Sequence, residues 1–332
     1  MAASRPAPPA GLADPTRAAS RLDDLIKEAA WLYYHDELNQ FDIAKRMQLS
    51  RASVVNYLAE ARDRGWVKLY LDSDVFLGHR FAAELCKAYG LKEALIVADV
   101  PGEPNLVDSR VVHAAADWLP RLLAPRDRLG VSWGETIFRL AQTVPRQIIP
   151  DLTVVQLLGS RPAALGFAAE TCTTILAQAL GAHCVNLHVP LLLSDKDLAD
   201  RLRHEPVVAQ QLAAVANCNK TVLACGTCDA DAHIVRTGLL SAASLANLRE
   251  RGAAGVICGR LIDAQGRAVP ADIEERMIGV TLAQMRNKDM SLLVASGKNR
   301  ARSARAAILG GYATHLATSA SIARSLLEDA PQ

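Results

Sequence analysis

Residues 50–57, SRASVVNY, place a run of groups able to read a nucleic-acid duplex within two turns of a helix. Ser50 is a strong N-cap, and behind it Arg51, Ala52 and Ser53, then Asn56 and Tyr57 one turn on, occupy the first exposed positions. Arginine grips guanine bidentately, asparagine grips adenine, and an alanine methyl or a serine methylene can touch a thymine methyl. Gln40 and Ser50, each at a helix start, are placed to hold backbone phosphates. That is the chemistry of a double-stranded DNA reader. A helical bundle that served only for dimerisation would not need this order of groups.

Three helices must position those residues. From Arg21 to Asp36 the apolar residues Leu22, Leu25, Ile26, Ala29, Ala30, Leu32 and Tyr33 recur at spacings of three and four, which predicts an amphipathic helix. Asn39 caps a second helix, Gln40–Met47, with Phe41, Ile43, Ala44 and Met47 facing inward. The third runs from the Ser50 cap to about Arg64, with Val54, Leu58 and Ala61 at core spacing, and Gly65 ends it. A helix–turn–helix needs a corner tight enough to keep its two helices in contact, and Ala44 is the small residue that permits the approach. Trp66–Leu71 alternates like a short strand, and residues 72–74 mark a boundary. Lys45, Arg46, Arg51, Arg62 and Arg64 against Glu60 and Asp63 leave a local excess of three positive charges, compatible with docking on phosphates.

Half of the 332 residues are hydrophobic and 22% are charged, enough for a sizeable core, while a net charge of +2 says little about partners. No apolar run approaches the roughly 20 residues that a membrane span requires, LHVPLLL at 187–193 coming nearest, so no membrane partner is expected. The Ala/Pro-rich start does not resemble a secretory signal, and residues 1–19 read as a disordered tail. The seven cysteines lie mostly in apolar context and suit the reducing cytoplasm. Cys225 and Cys228 form a lone CxxC, a weak zinc signal without a second pair, so no metal is assigned.

Beyond residue 73, predicted strands at 95–98, 128–131, 153–158, 184–187, 221–224, 255–258, 291–295 and 315–318 alternate with helices. The helices are expected at 77–89, 107–123, 137–144, 170–180, 207–216, 241–251, 302–309 and 319–327. This alternation argues for an α/β domain with a mostly parallel sheet covered on both faces. The organisation expected is therefore a tail (1–19), an all-α helix–turn–helix domain (20–72) and a large effector-binding and oligomerisation domain (73–328).

Four stretches carry a family likeness. The head, AAWLYYHDELNQFDIAKRMQLSRASVVNYLAEARDRGWVKL, resembles that of the SorC family of bacterial transcription regulators. GVSWGET (130–136) is similar to that family's G-x-S-W-G-x-T loop, VVQLLGS (154–160) to its V-Q-L-x-G, and GVICGRLIDAQG (255–266) to its G-D-I-x-G-R-x-x-D-x-x-G. The resemblance covers about residues 20–328. It implies a Rossmann-like parallel-sheet domain with the fold of sugar-phosphate isomerases and glucosamine-phosphate deaminases, kept as a sensor. It further implies a phosphorylated sugar or related catabolite as effector, operator DNA as partner, a homo-oligomer (usually a tetramer) and no cofactor.

Such an effector needs backbone N–H groups at a helix start, hydroxyls and a cation. SWGET supplies Ser132, Gly134 and Thr136 between a strand and a helix, with Trp133 as a shield, at the carboxyl end of a strand where ligands of open sheets sit. CGTCD (225–229) holds the corresponding place after another strand and makes Gly226 a loop glycine. Arg161 is a candidate phosphate cation, and the matched motifs add Gly159 and Arg260 to the expected effector-binding set. Aligning on Gly310-Gly311 puts Arg300 where the family has a lysine. Arginine can hold a phosphate but stays protonated and forms no Schiff base. The family's two further carboxylates are here Val256 and Ser319, which predicts an altered specificity, a polyol or polyol phosphate. An active isomerase or deaminase is the alternative. It would need a base near the reacting carbon, and Asp229, Asp231 and His233 are the candidates left.

Overall fold

The computed structural model describes residues 15–67, 73–161 and 168–331. The chain divides into two compact units, Met1–Leu71 and Asp72–Gln332.

In the first unit α1 (Pro15–Tyr34), α2 (Gln40–Met47) and α3 (Arg51–Asp63) enclose a small core that includes Ile26, Ala29, Leu32, Ile43, Val54, Leu58 and Ala61. Helix α1 begins inside the stretch expected as a tail, at a proline whose missing N–H costs nothing in a first turn. Residues 1–14 lie outside the described residues. The Asn39 side chain accepts from the N–H groups of Phe41 and Asp42, both at 3.0 Å, and Ser50 Oγ accepts from Ser53 N at 3.0 Å, so both caps sit where the sequence predicts them. Between them Gln48 takes a left-handed conformation (φ 55°) and Leu49 N donates to Ala44 O at 2.9 Å, which closes the corner on the buried Ala44. Phe41 is not an inward residue: it is 69% exposed. It stands about 200° round the helix from Ile43, off the buried stripe. Of the expected strand Trp66–Leu71, residues 68–71 lie outside the described residues. Trp66 and Val67 instead fold back onto Ala61 O, at 3.0 and 3.3 Å.

Among its described residues the second unit has nine strands: β1 (Glu93–Val97), β2 (Arg128–Val131), β3 (Thr153–Gln156), β4 (His183–Val185), β5 (Lys220–Gly226), β6 (Ala253–Ile257), β7 (Arg260–Asp263), β8 (Met290–Ala295) and β9 (His315–Ser319). Its helices are α4 (Ser73–Tyr89), α5 (Pro104–Trp118), α6 (Glu135–Thr143), α7 (Ala169–Leu180), α8 (Lys196–His204), α9 (Pro206–Ala216), α10 (His233–Arg236), α11 (Ala242–Glu250), α12 (Leu282–Met285), α13 (Arg300–Leu309) and α14 (Ala320–Glu328). Seven strands pair in parallel in the order β1-β9-β8-β5-β2-β3-β4. Side chains alternate across a strand, so neighbouring residues enter separate cores. Val222, Leu292 and Ala317 pack with α5, α6 and α7, whereas Leu223, Leu293 and Leu316 pack with α4, α13 and α14. The sheet is buried on both faces, which is why its strands read as continuous apolar runs.

Four elements have no counterpart in the sequence reading: helix α8, the single-turn helices α10 and α12, and strand β7. The last forms a hairpin with β6, which pairs antiparallel to the last residues of β5. Cys258 (φ 47°) and Gly259 (φ 72°) make its two-residue corner, both left-handed as a type I′ turn requires.

The order of the strands fixes the position of the site. From β2 the chain moves outward to β3 and β4; from β5 it moves the other way, to β8 and β9. The direction reverses between β2 and β5, so their carboxyl ends flank a crevice of the kind where open sheets bind ligands.

Gly266, in the corner after β7, has a φ of 74°, and a Cβ added there would lie 2.3 Å from Gly310 Cα and 2.4 Å from Ala306 O. Gly266→Ala therefore combines left-handed strain with an unavoidable backbone clash. We expect it to lower unfolding stability by about 3 kcal/mol, measured by urea denaturation.

Candidate functional site

Strand β2 ends at Val131, and the next three residues turn into α6. Ser132 N donates to Val222 O at 3.2 Å, tying the loop to β5. Gly134 (φ 106°, ψ 173°) starts α6 without a capping side chain, so the first N–H groups of a nine-residue helix have no side-chain cap. Ser132, Trp133, Gly134 and Thr136 from this loop, Gly226 from β5 and Arg300 from α13 all line that cavity. Six of the nine expected effector-binding residues thus meet in one place. The cavity measures about 100 Å³, the size of a phosphate-like group or a few waters. A second cavity of about 510 Å³ shares Thr227 and Arg300 with it and continues past Lys298 and Arg302.

Its electrostatics favour an anion. Arg300 donates from Nη1 to Cys225 O at 2.8 Å and from Nε to Ser296 O at 3.2 Å, which fixes the guanidinium in the wall. Arg236 also lines the space, and the only carboxylate among its described lining residues is the exposed Glu135. Val256, in the place of a family carboxylate, is 7% exposed and presents an apolar wall. His233, the first residue of α10, stands edge-on to Trp133 with ring centroids 5.1 Å apart. Burial, then Arg236 and Arg300, hold its imidazole below the usual range, against the pull of Glu135. Ser132 Oγ and His233 Nε2 are buried without a hydrogen-bond partner among the described residues. Sequence reasoning had His233 only as a possible base; its place beside Trp133 depends on the fold of the loop after β5, which no local pattern announces.

The two cysteines of the CxxC are buried thiols. Cys225 and Cys228 are free, burial pushes Cys228 up to about 11, and Ser303 Oγ donates to Cys225 Sγ at 3.4 Å. Among the described residues no group of three His, Cys, Asp or Glu side chains could hold a metal ion.

Three expected site residues lie elsewhere. Gly159 is a crossing point: a Cβ there would fall 2.8 Å from the backbone of Leu191. Arg161 is not among the lining residues; its guanidinium lies next to Gly238, and residues 162–167 beyond it are outside the described residues. Arg260 is 6% exposed, donates from Nε to Val280 O at 2.6 Å and pairs through Nη1 with Glu274, so it is a buried brace rather than a ligand cation. The rest of its motif is structural too, because Asp263 accepts from Gln265 N and Arg267 N, both at 2.9 Å, to form the corner after β7. Ser319 caps α14, accepting from Ile322 N at 3.4 Å, and lines a different cavity with Asp99 and Asp108. Asp229 lies in the second cavity and accepts from Asn299 Nδ2 at 3.3 Å, and Asp231 is exposed.

On the first unit, Arg51, Ala52 and Asn56 are exposed along α3, and Ser53 and Tyr57 are half-buried. Arg51 Nε donates to Gln40 Oε1 at 3.3 Å, and Ser50 Oγ bonds Ser53 Oγ at 2.8 Å. Arg64 is not a free cation: Glu60 and Asp23 hold it at 2.6 and 2.7 Å and raise its pKa. Lys45, Arg46 and Arg62 stay exposed.

If Arg260 is structural, Arg260→Ala strands a carboxylate and should cost about 3–5 kcal/mol in thermal or urea unfolding.

Comparison with known proteins agrees with this architecture. The sugar-binding domain family model (Sugar-bind) matches residues 75–328. The transcriptional regulator YjhU of Escherichia coli K12 is 32% identical over 319 residues, 95% of this chain and 97% of that protein. The deoxyribonucleoside regulator of Bacillus subtilis is 28% identical, covering 91% of this chain and 96% of its own, and the transcriptional regulator LsrR of Klebsiella pneumoniae is 28% identical over 92% and 93%. Among solved structures, the full-length sorbitol operon regulator SorC of Klebsiella pneumoniae superposes with a TM-score of 0.71 at 23% identity, covering 95% of this chain and all of that one. A two-unit chain with a parallel-sheet domain, a cavity at its strand-order reversal and a family match over that whole domain belongs to the SorC family of sugar-binding transcriptional regulators.

Proposed function

We propose that residues 20–72 bind operator DNA and that residues 73–328 hold a sugar- or polyol-type effector, with a phosphoryl group seated at the amino end of α6. The observation that carries this reading is the convergence of Ser132, the uncapped start of α6 and Arg300 on one cavity at the reversal of strand order. Helix N-termini and fixed guanidinium groups are complementary to oxyanions. The apolar Val256 favours an effector with fewer hydroxyls to satisfy on that side, a polyol phosphate or deoxy sugar phosphate.

The head supports the other half of the reading. Arg51, Ala52 and Asn56 lie exposed at the start of a capped helix, with Gln40 beside Arg51 and the half-buried Ser53 and Tyr57 flanking them. In this reading the chain acts in the cytoplasm as an oligomer, a tetramer by the family resemblance. The effector binds one arrangement of the assembly better, and its differential affinity shifts the population that grips the operator. The protein senses and does not turn over its ligand. Proton transfer at carbon needs a positioned base, and the described lining residues offer only His233 and the exposed Glu135.

Arg51→Ala and Asn56→Ala should each weaken operator binding by about 1–3 kcal/mol in footprinting of the protein's own promoter, with ligand affinity unchanged. Wild-type footprints from both variants would displace α3 as the reading helix. Thr136→Ala should do the reverse, lowering calorimetric affinity for a panel of sugar and polyol phosphates while operator binding persists. No heat from any member of the panel would remove the effector reading.

A further inference from the structure

We infer that His233 is a specificity-determining contact of this cavity, whose Nε2 donates to an oxyanion of phosphate type lodged between it, Ser132 and the start of α6. The inference rests on reading the cavity as the effector site and adds to it a residue that reports the charge of what is bound.

Three observations converge on this. Ser132 is 2% exposed, and its Oγ and His233 Nε2 line one cavity with no hydrogen-bond partner among the described residues. Polar atoms buried in that way cost free energy unless something satisfies them, so a pair facing one space marks where a ligand's polar group belongs. The position is also set. A Cβ added to Gly134 would meet Nε2 at 3.8 Å, in ordinary contact, so His233 stands beside the residue that begins α6. An oxyanion held by the first N–H groups of that helix would lie within reach of Nε2. Finally, the edge of Trp133 against the imidazole limits its rotation, so the ring does not search for a partner.

The charged groups that face His233 are Arg236 on its own helix, Arg300 on α13 and Glu135 on α6. In the ligand-free protein, burial and the two arginines outweigh Glu135 and favour the neutral ring. A doubly charged oxyanion reverses that balance, so the complex holds the proton more tightly than the free protein does. Affinity for the anion must then rise as pH falls through the pKa of the complex, and level off below that of the free protein. A neutral ligand would gain nothing from the change.

Sulfate is the suitable probe, because it keeps two charges while histidine titrates and any pH dependence belongs to the protein. The full chain should bind sulfate severalfold more tightly at roughly pH 5 than at roughly pH 8, approaching the limit of about tenfold that a pKa difference of about one unit sets. His233→Gln, with a polar side chain but no titration, should bind weakly and equally at both. If His233→Gln keeps the wild-type slope, the assignment of His233 fails and the reading of the cavity stands. If the wild-type chain binds no sulfate at either pH, both fail. Should the variant not fold, calorimetry on the wild-type chain in two buffers of different ionisation enthalpy decides instead. Uptake of part of a proton per sulfate near neutral pH is expected, and zero uptake overturns the inference.

Discussion

Everything the large unit can do follows from β2 and β5 lying side by side. Leu129, Gly130 and Val131 pair with Lys220, Thr221 and Val222, and only this parallel register brings the SWGET loop next to Cys225, Gly226 and Thr227. The pairing is lashed at the opposite end of the strands. Arg128 N donates to Asn219 Oδ1 across 91 residues of chain, and Asn219 Nδ2 reaches the carboxylates of Asp127 and Asp289 at 2.9 and 3.1 Å. Lys220 lies 2.7 Å from Asp127, with both side chains mostly buried. Burial alone would push the Asp127 carboxyl up, but Lys220, Asn219 and the Ala124 amide hold it below its ordinary value. Charged groups thus sit at the amino ends of the central strands, and the carboxyl ends are left for a ligand.

The two ends of the sheet differ in construction. Around the cavity the lining comes largely from loops and short helices such as the four-residue α10. Arg300 belongs to both regimes, since carbonyls of Ser296 and Cys225 hold it while it lines two cavities. A cation fixed in this way loses little entropy when an anion arrives.

Much of this was legible in the sequence wherever local chemistry decides structure. Asn39 and Ser50 announce their helices because an oxygen at the cap position has few other uses, and Arg128–Val131 reads as a strand because both faces are buried. Legibility ended where long-range packing decides. Strand β7 escaped notice because its residues run on from β6 through a two-residue corner at Cys258, a residue type that rarely signals a left-handed turn. Arg260 looked like a ligand cation because a motif records which residue is required and not why; its partners, Glu274 and Val280, lie 14 and 20 residues further along. Gly159 misled for the same reason, its lack of a side chain serving Leu191 rather than an effector.

The cavity wall also carries sulfur. Cys225 and Cys258 line it, and burial drives both thiols upward, Cys258 to about 12. Burial therefore disfavours the thiolate, the form that peroxide or an electrophile attacks. The thiols in the wall are thus held as neutral, poorly nucleophilic groups, and the space presents shape and fixed charge rather than sulfur chemistry.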